Sequence, residues 1–254
     1  MDDLLKNSTT NPLKALDILE ALSQCPKGAG VTELADITGL SKSSVHRILM
    51  ALVERRYVEK NEITKQYRLG FRPLTLASAV LDSLEIKHIA RNELKKISNI
   101  TGETVHLMCI DGLEALYVDK IDTPDPVGLK SQIGKRLPLY CTGGGKAMLA
   151  FKGDAFIQNY IKSVSFVKYT PATLTSPQEI LSELEHIREV GYAIDNEEHH
   201  TNIHCIAVPL VKNTHEVVAS ISISAPAYRF PIQQAIQYKD LLIDSAKNII
   251  GQLL

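Results

Sequence analysis

An α+β fold in two domains is what this 254-residue sequence predicts, on three observations. The N-terminal quarter runs helix, glycine turn, capped helix and then two short β-like stretches. The larger remainder mixes strong β runs with separate amphipathic helices, without the regular strand–helix alternation of a doubly wound sheet. Between them lies an apolar, helix-patterned segment bounded by Asp82 and Ser83, which reads as a linker helix. On this division residues 8–70 form the first domain, 71–85 the linker and 86–254 the second domain.

In chain order, Leu13, Leu16, Ile18, Leu19 and Leu22 recur at helical spacing after Pro12, which fits a first helical turn. Gly28 and Gly30 end that helix. A short helix follows over Thr32–Thr38, with Thr32 as its expected N-cap and Leu34 and Ile37 expected to face inward. Gly39 closes it. Ser41 then caps a longer helix with an expected buried stripe of Val45, Ile48, Leu49, Leu52 and Val53. Two β-like runs, Tyr57–Lys60 and Gln66–Leu69, make a hairpin.

Past the linker, a helix is expected from Ile86 to Ile100 and strands over Thr104–Ile110 and Ala115–Ile121, joined at Asp111-Gly112. The run Gly143-Gly144-Gly145-Lys146 opens a short helix. Pro177–Val190 is the clearest helix, with Ser176 at the N-cap, Glu179 completing a capping box and Gly191 ending it. Cys205–Val211 and Val217–Ser224 are strongly β, and one amphipathic helix is expected over Pro231–Leu253.

Helix, turn, capped helix and hairpin, in that order, is the layout of a winged helix-turn-helix. Its second helix must enter a major groove about 12 Å wide, N-terminus leading. The leading face is Ser41, Lys42, Ser43, Ser44, His46 and Arg47, and the hairpin tip carries Thr64 and Lys65. Small hydroxyl residues let a helix N-terminus approach phosphates, which its free N–H groups favour. Arg47 is long enough for a guanine edge or a phosphate. From Ser41 to Gly70 seven Lys/Arg stand against three Glu, although the whole chain carries a net charge of −1. DNA binding must therefore come from this local patch. The competing reading is a small helical bundle that makes protein contacts through a solvated charged face.

The stretch from Gly30 to Leu49 resembles the recognition unit of the IclR family of bacterial regulators. Leu137-Pro-Leu-Tyr-Cys-Thr-Gly-Gly-Gly-Lys-Ala, Gly191-Tyr-Ala-Ile-Asp-Asn-Glu-Glu-His and Cys205-Ile-Ala-Val-Pro-Leu resemble that family's effector-domain signatures, in the right order over nearly the whole chain. Gly102-Glu-Thr-Val-His-Leu and Ile133-Gly-Lys-Arg-Leu-Pro-Leu-Tyr carry a narrower likeness to the sugar-acid regulators of the 2-keto-3-deoxygluconate type. The resemblance implies a homodimer or dimer of dimers on a double-stranded, palindromic operator, and a GAF-like C-terminal domain that holds a small carboxylate effector. By motif match the effector site would use the amides of Gly143 and Gly144, with Asp195, Cys205, Ser222 and Ser224. It implies a repressor of a catabolic operon, with no cofactor and no catalytic residue. One departure concerns Thr201-Asn202, where the family commonly has glycine; Asn tolerates positive φ, so the turn can survive.

The residues themselves agree with such a site. Glycines permit close backbone approach, and Ser222 and Ser224, two apart on a strand, share one face. The same serines could instead satisfy neighbouring backbone groups, and Asp195 could cap a turn. Other chemistries fit less well. A phosphate loop would need glycine where Tyr140 stands and Ser or Thr where Ala147 stands. Cys25, Cys109, Cys141 and Cys205 form no C-x-x-C pair. His199, His200, His204 and Cys205 beside Glu197 and Glu198 are rich in ligands but match no standard zinc pattern, leaving a metal-dependent sensor or hydrolase as the alternative. Adjacent His204 and Cys205 would point to opposite faces of a strand, a poor nucleophile–base pair. Met1–Asn11 lacks an apolar core and no stretch approaches the ~20 residues of a membrane span, so a cytoplasmic protein with no membrane association is expected.

Overall fold

The computed structural model describes residues 10–125, 127–212 and 216–253. The start of the expected first domain at residue 8, most of the polar N-terminal segment and the last residue lie outside them. The chain divides into two compact units between Ser83 and Leu84.

In the first unit, α1 (Asn11–Ser23), α2 (Val31–Thr38) and α3 (Lys42–Glu54) precede a hairpin of β1 (Val58–Lys60) and β2 (Tyr67–Leu69). Ile18 and Leu22 of α1, Leu34 of α2, and Val45, Ile48 and Leu49 of α3 bury one core with Val58 and Tyr67 from the hairpin. Ser41 is the N-cap of α3 and accepts the Ser44 amide. Two expectations fail. Ile37 faces solvent in the isolated chain, as do Leu13 and Leu16 of α1, because the narrow core takes only one side of each short helix. Gly30, not Thr32, is the N-cap of α2. The hairpin also gains a third partner that periodicity could not reveal: Ala29 and Tyr67 exchange two backbone hydrogen bonds of 2.9 Å each. This pairing needs Gly28, whose φ is +86° and whose Cβ, if present, would lie 2.8 Å from the Tyr67 carbonyl oxygen.

Helix α4 (Arg72–Ser83) buries no residue, and its Leu74 and Val80 are 64% and 59% exposed. An apolar helix of twelve residues is marginal in water without a partner surface.

The second unit is built on a six-stranded antiparallel sheet. Its strands are β3 (Thr104–Asp111), β4 (Glu114–Ile121), β5 (Arg136–Pro138), β6 (Ala193–Asn196), β7 (Ile203–Val211) and β8 (Val217–Pro226), in the order β5-β4-β3-β8-β7-β6. The α+β class is therefore as expected. Helices α5 (Glu85–Thr101) and α10 (Lys239–Gly251) cover one face, over Val105, Leu107, Ile206, Val208, Ile221 and Ile223. Helices α6 (Gly143–Ala150), α7 (Asp154–Ser163) and α8 (Pro177–Val190) gather on the other. Ser176 and Glu179 form the expected capping box, and Gly191 ends α8 at φ +82°. The C-terminal helix is two helices, because α9 (Ile232–Gln237) stops at Tyr238 before α10 begins.

Strand alternation then decides the chemistry of the second face. Ile221 and Ile223 are buried against α5 and α10, so Ser220, Ser222 and Ser224 point the other way. Cross-strand register aligns them with neighbours. Asp195, Cys205, Ser224 and Thr104 form one row, and Ala207, Ser222 and His106 the next.

Candidate functional site

Two surfaces collect the residues singled out in the sequence. On the first unit, Lys42, Ser43, His46 and Arg47 lie exposed along one side of α3. Ser41, Ser43 and Ser44 are partly committed to one another: the Ser41 hydroxyl lies 3.1 Å from that of Ser43 and donates to that of Ser44 at 2.9 Å. Their first role is thus to shape the helix N-terminus. Thr64 and Lys65 sit at the wing tip, where Asn61 Oδ1 accepts the Ile63 and Thr64 amides. Lys65 takes a positive φ of 57°. Its ammonium shares Glu62 with Lys60, at 3.1 Å each, and Arg68 pairs with Glu59 at 2.9 Å. Among the described residues Lys42, Arg47, Arg55 and Arg56 carry no such pairing, so the unneutralised positive charge lies on and just after α3.

On the second unit a cavity of about 470 Å³ opens over the sheet, and all six residues from the motif match line it: Gly143, Gly144, Asp195, Cys205, Ser222 and Ser224. Its floor is the polar face of the sheet and one end is the N-terminus of α6. The glycines are required by closeness. A Cβ on Gly143 would lie 2.7 Å from Cys205 Sγ, one on Gly144 2.5 Å from Met108 Sδ, and one on Gly145 2.6 Å from the Leu139 carbonyl oxygen. Thr142 precedes the helix but spends its hydroxyl on the Pro138 carbonyl, giving no side-chain cap. First-turn amides have no acceptor within their own helix, so those of Gly143 and Gly144 face the cavity's contents with the positive end of the helix.

Behind the glycine run, Lys146 is buried and donates to Glu183 of α8 at 2.8 Å and to Glu198 of the β6–β7 loop at 2.5 Å. Burial alone would lower its pKa, yet the two carboxylates hold it above the ordinary lysine value. The Glu198 amide in turn donates to Asp195 Oδ1 at 2.7 Å. Asp195 is 6% exposed. Burial first, and then the Glu198 charge, push its pKa up to about 7. Thr170 and Thr173 hold the loop from outside by donating to the carbonyls of Glu197 and Glu198, both at 2.6 Å. Asn202 takes the positive φ (61°) expected of it, so the loop keeps a left-handed turn without glycine.

Sequence reasoning missed part of the lining. His106 lies behind the lining, in the Ser222 row, and its Nε2 is 2.8 Å from Oγ of Ser131, which does line the cavity. Burial drives its pKa down to about 3, so it is neutral. Tyr117, Lys130, Lys135, His199 and His200 also line the space. Only the β3 alternation could have flagged His106; residues 128–135 have no periodicity to read.

The ligand-rich histidine cluster does not converge. The His199 and His200 rings meet edge to face at 4.2 Å beside the cavity, whereas His204 Nδ1 lies 2.9 Å from the Phe230 carbonyl oxygen. Glu198 is engaged by Lys146. Among the described residues no group of three or more His, Cys, Asp or Glu could hold a metal ion. His204 and Cys205 do diverge, and no described helix is long and apolar enough to cross a membrane.

A winged helix-turn-helix followed by a sheet-and-helix unit with its own cavity is the build of a DNA-binding transcription regulator, and the relatives are of that class. Residues 13–62 match the IclR helix-turn-helix domain and residues 78–250 the bacterial transcriptional regulator IclR C-terminal domain. The chain belongs to the IclR family. Escherichia coli (strain K12) KdgR, an HTH-type transcriptional regulator, is 32% identical over 251 residues, covering 99% of this chain and 95% of KdgR. E. coli YiaJ, a DNA-binding transcriptional repressor, is 33% identical over 219 residues, 85% of this chain and 78% of its own. The crystal structure of Thermotoga maritima IclR superposes with a TM-score of 0.74 at 35% identity, covering 94% of this chain and 97% of that one.

The buried cluster yields a direct test. Lys146→Met removes the cation and leaves Glu183 and Glu198 facing one another, so about 3–5 kcal/mol should be lost in chemical denaturation. Adding Glu183→Gln and Glu198→Gln to it should restore part of that loss. An unchanged unfolding midpoint for Lys146→Met would show the cluster to be energetically idle.

Proposed function

We propose that this regulator represses a catabolic operon and is controlled by a small organic acid, a sugar acid or keto acid, bound in the cavity of the second unit. The observation that supports this reading best is the convergence of a helix N-terminus, a buried carboxyl and two serine hydroxyls on one enclosed space. The amides of Gly143 and Gly144 would hold the carboxylate. Ser222, Ser224 and Asp195 would meet hydroxyl or keto oxygens, with Cys205 packing beneath. The presence of KdgR among the relatives favours a sugar acid, and YiaJ, itself a repressor, favours repression.

For the DNA end, Ser41, Lys42, Ser43, Ser44, His46 and Arg47 would face the operator, with Thr64 and Lys65 against the backbone. Arg47→Ala should cost ~1–3 kcal/mol of operator affinity and relax sequence preference, if it reads a base. Lys65→Ala should weaken all sequences alike and lower the salt slope. Gel shifts at two salt concentrations separate these, and an operator–reporter fusion should rise in expression for Arg47→Ala as for deletion. If neither variant alters binding, the docking face is elsewhere.

For assembly, the apolar side of α4 and its neighbours, with Leu74, Leu76, Val80, Leu81 and Leu84, would pair with a second copy, giving a dimer or a dimer of dimers. Two linked modules gain affinity through effective concentration. Light scattering should give at least a dimer at micromolar concentration. A monomer with undiminished operator affinity would reject this.

For sensing, a ligand regulates only if it binds the DNA-competent and incompetent forms unequally. Losing a buried hydrogen bond to a charged ligand costs ~1.5–3 kcal/mol, about tenfold or more. Ser222→Ala should therefore weaken the best acid from a thermal-shift screen by that factor in calorimetry, while operator affinity without acid stays within error. Unchanged acid affinity would move the pocket elsewhere.

A further inference from the structure

We infer that Asp195 meets the acidic effector as a neutral carboxylic acid, and that the pocket takes up a proton as the effector's carboxylate enters. The inference rests on the sensor reading above and adds the protonation state of the site.

The geometry forces two carboxyls together. Cys205 is the cross-strand partner of Asp195, and its sulfur lies 2.7 Å from where a Cβ on Gly143 would be. The helix N-terminus that attracts an anion is thus about one side chain away from a buried carboxyl. Lys146 of α6, the one buried lysine or arginine among the described residues, does not compensate both. It is already shared by Glu198 at 2.5 Å and Glu183 of α8 at 2.8 Å, two carboxylates on one ammonium.

The other groups around Asp195 supply no positive charge. Cys205 of β7, Tyr117 of β4 and Cys141 ahead of α6 have pKa values raised by burial and stay neutral. On the β6–β7 loop, burial lowers His199 to about 4 and His200 also downward. His106 of β3 is neutral as well. Lys130 and Lys135 on segment 128–135 line the cavity but are solvent-exposed, where water screens them. A second carboxylate in this space raises a carboxyl that already titrates near neutrality, because like charges in a shared site cannot both ionise cheaply. The proton comes from solvent on binding and returns to it on release. Asp195 Oδ1 accepts the Glu198 amide, leaving Oδ2–H to donate to a hydroxyl or keto oxygen of the ligand.

The sign follows. Below the free Asp195 midpoint of about 7 the proton is already present, so binding releases and takes up nothing. Above it binding costs a proton, and affinity falls about tenfold per pH unit until the bound-state midpoint is reached.

Calorimetry of the full-length protein tests this with D-gluconate and pyruvate as probes, in phosphate and Tris at about pH 8, whose ionisation heats differ. The expected result is a proton taken up with either acid that binds, but none with gluconamide, the uncharged amide. Asp195→Asn, a neutral isostere, should bind without proton uptake and with a flat pH profile. Glu198→Gln, which removes the neighbouring charge, should shift the wild-type affinity midpoint to lower pH. A wild type that binds an acid with no proton uptake, uptake that persists in Asp195→Asn, or a midpoint unmoved in Glu198→Gln overturns the inference. A wild type that binds neither acid, with Ser222→Ala also silent in the wider screen, overturns the sensor reading and this inference with it.

Discussion

The second unit is organised around a lysine buried away from solvent. Lys146 joins three elements that are far apart in sequence: α6, α8 through Glu183, and the β6–β7 loop through Glu198. An isolated buried ammonium would be too costly to keep charged, and the two carboxylates are what let Lys146 stay ionised there. The same contacts fix the N-terminal turn of α6 over the sheet and bring the Glu198 amide onto Asp195. An energetic necessity in the interior thereby positions an edge of the cavity.

Closeness is the second constraint. Three consecutive glycines would be a poor choice for helix stability, each costing roughly 1 kcal/mol against alanine. Here a side chain at Gly143 or Gly144 would collide with Cys205 or Met108, and one at Gly145 with Leu139. The glycines trade intrinsic helicity for an approach that puts a helix terminus against a row of strand side chains. The polar rows exist because β3, β7 and β8 each send aliphatic residues to α5 and α10, while the opposite face takes Ser222 and Ser224 from β8, Thr104 and His106 from β3 and Cys205 from β7. A sheet sandwiched between helices usually buries apolar residues on both sides. The retention of Ser222, Ser224, His106 and Asp195 on one side marks where helices do not cover it.

Much of this was readable in advance, for physical reasons that differ by element. Helix α8 was legible because its capping box, first-turn proline and terminal glycine are all local signals. Ser222 and Ser224 were legible as a pair because strand alternation is local too. Asn202 was legible as a turn residue because its side chain tolerates left-handed backbone. What could not be read was set by distant partners. Ile37 keeps the helical period yet stays exposed in the isolated chain, since the core of a small three-helix unit has room for only one side of α2. The Ala29–Tyr67 pairing joins residues whose strand character is a single bridge. Lys146 looked like part of a failed phosphate loop; its two glutamates stand 37 and 52 residues away. The segment that places Ser131 on His106 follows no period at all.

The placement of charge on the first unit carries a consequence for how it reads DNA. A local excess of basic residues suggested a positive wing, but the hairpin's own glutamates answer its cations: Glu62 takes Lys60 and Lys65, and Glu59 takes Arg68. These are exposed pairs worth little to stability, so their effect is on the field and not on the fold. A wing whose charges are internally balanced exerts little long-range pull on phosphates, whereas Lys42, Arg47, Arg55 and Arg56 leave α3 and its C-terminal end uncompensated. On the proposed docking face, encounter with the duplex would then be steered by α3 itself. Lys65 can reach a phosphate only by giving up part of Glu62, which makes the wing contact weaker than its position at the tip implies. On that arrangement orientation and sequence reading fall to the same helix, and the hairpin serves chiefly to hold that helix, through Tyr67 and Val58, against the rest of its unit.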